Sequence, residues 1–172
     1  MGGSIEISWC RDAARARSLA RLFSENLTPS YISHGELQGP RATALGKWVP
    51  NIAQVLEVEL LGRIDSPDDA APGSSTKLAA GLWADGSDVG VMLATFSRAA
   101  TVPFCILEDI DIRSDTRGNG YGQTALNWLI AECRARGIGR IFLESGIENH
   151  KAHELFERDG FETVSIVMMK DF

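Results

Sequence analysis

Residues 106–126 read ILEDIDIRSDTRGNGYGQTAL. The stretch FCILEDIDIR, residues 104–113, reads as a strand. From Gly122 the pattern changes. Ala125, Leu126, Leu129, Ile130 and Cys133 fall on one face of a helix, and Gly137 stands where a helix stop belongs. Between strand and helix lie Arg117 and three glycines at alternate positions, Gly118, Gly120 and Gly122. Glycine loses more conformational entropy on folding than any other residue, so three together need a use, and the usual one is close approach of backbone to a ligand. At the N-terminus of a helix the N–H groups are unsatisfied and the dipole is positive, which suits phosphate. A Walker loop is excluded because no lysine follows Gly122. A doubly wound dinucleotide fold is excluded because the glycine spacing is wrong and too little chain follows. On the glycines alone, a plain flexible turn stands level with a binding loop.

Working outward, SIEISW (residues 4–9) alternates as a half-buried strand. A helix follows from a cap at Asp12, with Leu19, Leu22 and Phe23 on its apolar face. Residues 41–62 are expected to form a second long helix interrupted near Pro50, because Ile52, Val55, Leu56 and Leu60 recur at helical spacing. Residues 65–76, DSPDDAAPGSST, read as a mobile surface loop. LAAGLWAD and DVGVMLATFS read as a hairpin with a tight turn at Gly86 and Ser87, beside an aspartate. After the glycine helix come a strand in GRIFLES, a short helix in ENHKAHELFERDG and a last strand in FETVSIVMM. The order predicts one α/β (α+β) domain over residues 1–172: a mixed, mostly antiparallel sheet flanked by helices, with one strand-helix-strand crossover.

Composition narrows the partners. Lys and Arg total 17 against 23 Asp and Glu, a net charge of −6 without a basic cluster, which argues against nucleic acid. No apolar run approaches the ~20 residues of a membrane span. The opening MGGSIEIS has no signal-peptide pattern, Glu6 breaks a myristoylation signal, and GGS is compatible with a cloning remnant. Cys10, Cys105 and Cys133 lack metal-type spacing and suit free thiols in a reducing compartment. The expectation is a cytoplasmic protein that binds no metal.

The strand and glycine loop, together with NHKAHELFERDGF further on, resemble the GNAT superfamily of acyl-CoA-dependent N-acyltransferases. The resemblance rests on R-x-x-G-x-G from Arg117 to Gly122, on N-x-x-A-x-x-L-aromatic from Asn149 to Phe156, and on Gly160–Phe161. It covers residues 77–172, while the first 76 match only in element order. LEDIDIRSDTRGNGYG looks most like the diamine and polyamine acetyltransferases, and KAHELFERDGF is similar to the aminoalkylphosphonate acetyltransferases.

The resemblance implies acetyl-CoA as co-substrate. Its pyrophosphate would lie in the cradle of Arg117, Gly118, Asn119, Gly120, Tyr121, Gly122 and Gln123. The backbone of Ile110, Asp111 and Ile112 would pair with the pantetheine arm, and Asn149, Ala152 and Phe156 would complete the cofactor site. Amine acetylation needs a base, because an ammonium has no lone pair. By alternation Glu108 shares a face with Ile110 and Ile112, whereas Asp109 and Asp111 share the other. Glu108 stands where the resembling polyamine enzymes place their base, with Asp109 second. Three adjacent acids repel one another and should raise at least one pKa, though they also suit a plain cation-binding surface. Phe156 departs from the family's frequent tyrosine, the acid for the leaving thiolate. His153, one helical turn away, is the candidate replacement beside water. His34 and His150 have no partner legible in the sequence, and Cys105 and Cys133 are expected in the core. The implied activity is acetylation of a small-molecule primary amine by direct attack. A protein or peptide acceptor and a non-catalytic acyl-CoA-binding module are the alternatives, and a homodimer stays open.

Overall fold

The computed structural model describes residues 5–172, so Met1–Ser4, with the GGS discussed above, lie outside the described residues. In chain order the elements are β1 (Glu6–Trp9), α1 (Ala13–Asn26), α2 (His34–Gln38), β2 (Ala42–Ala44), β3 (Lys47–Trp48), α3 (Ile52–Leu61), β4 (Ser75–Ala84), β5 (Ser87–Ser97), β6 (Phe104–Ile112), α4 (Tyr121–Ala135), β7 (Arg140–Leu143) and α5 (His150–Arg158). They divide into two compact units, Met1–Leu27 with Pro50–Leu143, and Thr28–Val49 with Glu144–Phe172. Among the described residues no helix is long and apolar enough to cross a membrane.

The first unit is built on a five-stranded sheet in the order β1-β4-β5-β6-β7, antiparallel except for the parallel pair β6–β7. The mixed, mainly antiparallel sheet with flanking helices is the expected fold class. Asp12 caps α1 by accepting the Arg15 N–H at 2.8 Å, as its sequence position predicts. The β4–β5 hairpin turns at Asp85 and Gly86, both at positive φ (49° and 80°), one residue earlier than expected. Leu78, Leu82, Val91, Leu93, Phe96 and Leu107 of the sheet are fully buried, as are Leu19 and Phe23 of α1, Leu56 and Leu60 of α3, and Leu126 and Leu129 of α4. Each such side chain contributes roughly 1.5–3 kcal/mol by leaving water.

Cross-strand partners share a face, so the register assigns the helices to the two sides. Phe96 pairs with Cys105, and the Phe96 ring meets Trp9 edge-on at 5.8 Å. Trp9 in turn lies 4.8 Å from Trp128 of α4, so α4 covers that side. On the other side Ser8, Gly81, Val91 and Asp111 form one row across four strands. Arg15 of α1 bonds Ser8 Oγ at 2.9 Å and crosses directly over Gly81, where a Cβ would stand 2.6 Å from its guanidinium. At its other end α1 bonds Asp111 through Asn26. Eleven residues at 1.5 Å rise make about 16 Å, enough to span the roughly 14 Å from β1 to β6.

The loop 65–76 is tied to its own unit by Arg11, which pairs with Asp68 and donates to Ser66 O at 2.6 Å, and by Arg98, 2.8 Å from Asp69.

The second unit contains α2, opened by a capping box of Ser33 and Glu36, the β2–β3 pair, and α5. Two expectations fail here. Residues 41–49 are a small hairpin turning at Gly46 (φ 73°), and the helix begins only at Ile52, after Pro50. A proline restrains the residue before it from helical geometry, so the apolar spacing of 52–60 does not extend back through it. The expected strand in 161–169 is not formed. Residues 162–172 are exposed and outside any ladder, with Ile166 86% and Met168 84% exposed. Alternation shows which side chains would share a face of a strand; a strand also needs a partner edge.

Candidate active site

The glycine loop sits at the end of β6, and β6 changes character along its length. Leu93 of β5 pairs with Asp109, and the next residue, Ala94, pairs with Leu107. Glu108 is therefore the extra residue of a β-bulge. The parallel pairing with β7 ends at the same place, at Leu107↔Leu143. From Glu108 to Ile112 the strand has β5 on one side and, among the described residues, no strand on the other.

The bulge corrects the face assignment made from alternation. It resets the period, so Glu108 joins Asp109 and Asp111 on one side while Ile110 and Ile112 take the other, together with Cys105 and Leu107. The partners agree. Glu108 Oε2 accepts from Arg63 Nη1 at 2.6 Å, and Arg63 also donates to Glu59 at 2.7 Å and to Leu78 O at 3.3 Å. Arg63 follows α3 and is buried, whereas the Glu108 side chain is a quarter exposed. Asp109 is buried. Asp111 is gripped on both oxygens, by Asn26 Nδ2 at 2.9 Å and by Arg117 Nη2 at 3.4 Å. Burial pushes its carboxyl up to about 6, opposed by the Asn26 bond and Arg117 and reinforced by Asp109. The raised acid that repulsion led one to expect is present, and desolvation is its main cause.

Beyond Ile112 the chain turns back on itself. Arg113 N donates to Val89 O at 2.8 Å, Ser114 N to Asn26 Oδ1 at 3.3 Å, and Arg117 Nε to Ile112 O at 2.8 Å. Gly118 (φ 88°) and Gly120 (φ 81°) then take left-handed backbone, with open space where a Cβ would project. Gly120 is the N-cap of α4 and has no side chain to satisfy the first-turn N–H groups, while buried Tyr121 anchors the helix start. Gly118, Asn119 and Gly120 are exposed, and Gly122 and Gln123 are half-buried. An exposed helix N-terminus without a side-chain cap, preceded by left-handed glycines, fits the pyrophosphate of an acyl-CoA.

The remaining sequence candidates belong to the second unit. Asn149 is the N-cap residue of α5, and its backbone carbonyl, not its side chain, accepts the Ala152 N–H at 3.0 Å. His153 is half-buried, with its ring 5.9 Å from that of His150. Phe156 is buried and packs on Phe161 at 5.8 Å. His34 acquires a partner that sequence did not show, Glu144 at 2.8 Å. In the first unit Cys105 and Cys133 are buried as expected, and the hydrogen bond to Cys133 together with burial holds the Cys105 thiol far above its usual range. No local pattern in the sequence points to Arg63 or Asn26 as partners of the acids. Only an assembled sheet brings them to the acids, although Asn26 does carry the signal of a polar residue at a helix end.

A family model described as acetyltransferase (GNAT) family matches residues 59–161. No curated protein sequence matches the chain. Among solved structures, the putative acetyltransferase YycN from Bacillus subtilis superposes with a TM-score of 0.66 at 20% identity, covering 98% of this chain and 99% of its own. The aminoglycoside N-acetyltransferase AAC(6')-Iy, solved in complex with CoA, gives 0.65 at 13% identity, over 100% of this chain and 97% of its own. A ribosomal-protein-alanine N-acetyltransferase from Brucella melitensis biovar Abortus 2308 gives 0.64 at 12% identity, over 98% and 100%. At these identities the likeness is one of fold.

Proposed function

Because the chain belongs to the acetyltransferase (GNAT) family, we propose that it moves an acetyl group from acetyl-CoA to a primary amine of a small molecule, by direct attack in a ternary complex. One observation carries this reading: bulge, end of the β7 ladder and glycine loop all fall within residues 107–122, leaving an open strand edge that leads to an anion cradle. When bound, acetyl-CoA supplies the activated acetyl group and a thiolate leaving group.

Glu108, re-aimed by the bulge and held by Arg63, takes the proton of the incoming amine, so that the nitrogen lone pair is free to attack. An N–H on the open edge between Glu108 and Ile112 donates to the carbonyl oxygen as negative charge develops there. The cradle from Arg117 to Gln123 holds the pyrophosphate. Direct attack is favoured over a cysteine relay because Cys105 and Cys133 are buried in the core, and Cys105 lies on the face of the sheet opposite Glu108. The leaving thiolate takes its proton from water or from His153, since Phe156 has none to give; a thiol of pKa ~8.5 is a fair leaving group. The cofactor contacts of Asn149, Ala152 and Phe156, the working of both units as one catalytic domain and a cytoplasmic location belong to the same proposal.

The test is turnover of acetyl-CoA with a panel of small amines and peptides, read as free thiol. Acetylation of small amines in preference to peptide N-termini is expected. Exclusive use of peptides would move the acceptor to a protein, and CoA binding without turnover of any amine would overturn the enzyme.

A further inference from the structure

The side chain of Asp111 has no part in the chemistry just described, yet it is a carboxylate kept at 5% exposure on the strand that leads to the cradle. Its pairing is unusual for a buried charge. One oxygen takes the Asn26 amide from the end of α1, and the other faces Arg117, which is half exposed and lies in the glycine motif itself. The same Asn26 accepts the Ser114 N–H, and the same Arg117 donates to Ile112 O. Asn26, Asp111 and Arg117 thus tie three places together: the end of α1, the open edge of β6, and the loop that runs into Gly118 and Gly120.

We propose that the Asp111 side chain is a positioning residue for acetyl-CoA: through Asn26 and Arg117 it fixes the glycine cradle relative to the open edge of β6. This rests on the reading of that loop as the pyrophosphate site. A cradle and a strand edge that must engage two ends of one long ligand lose affinity when their separation is free to vary, because ordering the loop is then charged against binding. An aspartate does this work where an asparagine would not, because its charge holds the guanidinium of Arg117.

The charge is retained against a cost. A carboxyl raised from 3.8 to about 6 binds its proton more tightly in the folded chain, so folding stability falls as pH rises between those values and stays lowered above them. The charged groups on this side of the sheet include Asp109 and Glu108 on the same strand, Arg117 from the loop, Arg63 paired with Glu108 and with Glu59 of α3, and Arg15, which reaches Asp88 at 3.3 Å. α1 presents the uncharged Asn26 to Asp111, and β5 places Val91 opposite it. Among the described residues Arg117 is the cation paired with Asp111.

The experiment measures CoA affinity by calorimetry, and KM for acetyl-CoA with kcat, for wild type and Asp111→Asn at pH 7.5 and 5.5. At pH 7.5 the variant should bind CoA roughly tenfold more weakly, the factor carried by one charge-assisted hydrogen bond, with kcat at saturation nearly unchanged. Its Tm should equal or exceed that of wild type, which a merely structural role would not give. At pH 5.5, where wild type has protonated most of its Asp111, the gap between the two should narrow to roughly threefold. The phosphate monoester of CoA also titrates near 6 and does so with both proteins, so the difference between them is the readout. Asn26→Ala provides a second route: it leaves Asp111 in place, unpins it, and should weaken CoA binding in the same direction. Equal CoA affinity of wild type and Asp111→Asn at pH 7.5 overturns the inference alone, as does a loss confined to kcat. Failure of wild type to bind CoA overturns both it and the proposed function.

Discussion

The two halves of β6 are one continuous strand with opposite surroundings. Phe104 to Leu107 lie between β5 and β7, with both ladders complete, and Cys105 and Leu107 are sealed in the core. Among the described residues, Glu108 to Ile112 keep only the β5 ladder, and three of these five residues are acids. Where every backbone group is paired, the strand contributes stability. Where one edge is unpaired, its N–H and C=O groups are available to a ligand, and burial of charge is tolerated. The bulge at Glu108 divides the two regimes.

Substitutions at the boundary should separate them. Glu108→Gln keeps shape but cannot take a proton, so turnover at neutral pH should fall by ~10²–10⁴ while CoA affinity holds. Raising the pH should restore part of it, because each unit below a lysine-like pKa of ~10.4 increases the free amine about tenfold. Loss in Asp109→Asn instead would move the base one residue along. On the sealed side Leu107→Ala should cost about 2–5 kcal/mol in denaturant unfolding with KM unchanged. Its proximity to Glu108 makes this the sharpest contrast available, and a KM effect as large as the stability effect would dissolve the distinction. Gly120→Val forces a branched residue into φ 81° and fills the open space before α4, so CoA binding should weaken by roughly ten- to a hundredfold in calorimetry. Phe156→Tyr should alter turnover by less than about twofold if water or His153 already protonates the thiolate. A large gain would show that the missing acid limits the enzyme.

Much of this was legible in the chain. Strand β6, the glycine loop and α4 follow from patterns confined to a few consecutive residues, and so does the Asp12 cap. The bulge does not. Glu108 becomes the extra residue only because Leu93 and Ala94 choose Asp109 and Leu107, and that choice is made by a partner strand. Alternation therefore put Glu108 and Asp111 on opposite faces when they share one. The same reason hid Arg63 and Asn26, separated from Glu108 and Asp111 by 45 and 85 positions. The periodicity of α3 does not extend back across Pro50 into residues 41–49, and the alternation of 161–169 does not suffice for a strand without a partner edge.

The close contact of Trp9 with Trp128 has an optical consequence. Two indoles 4.8 Å apart and inclined at 56° couple their excited states, and that coupling exists only while β1 and α4 hold them together. The near-ultraviolet circular dichroism should therefore carry a band that reports docking of α4 against the sheet. Trp83, 42% exposed, and Trp48 in the other unit, hydrogen-bonded to Thr28 O at 3.3 Å, supply emission without such a close indole pairing. Loosening of the helix that carries the glycine cradle can then be told apart from unfolding elsewhere in one unlabelled sample.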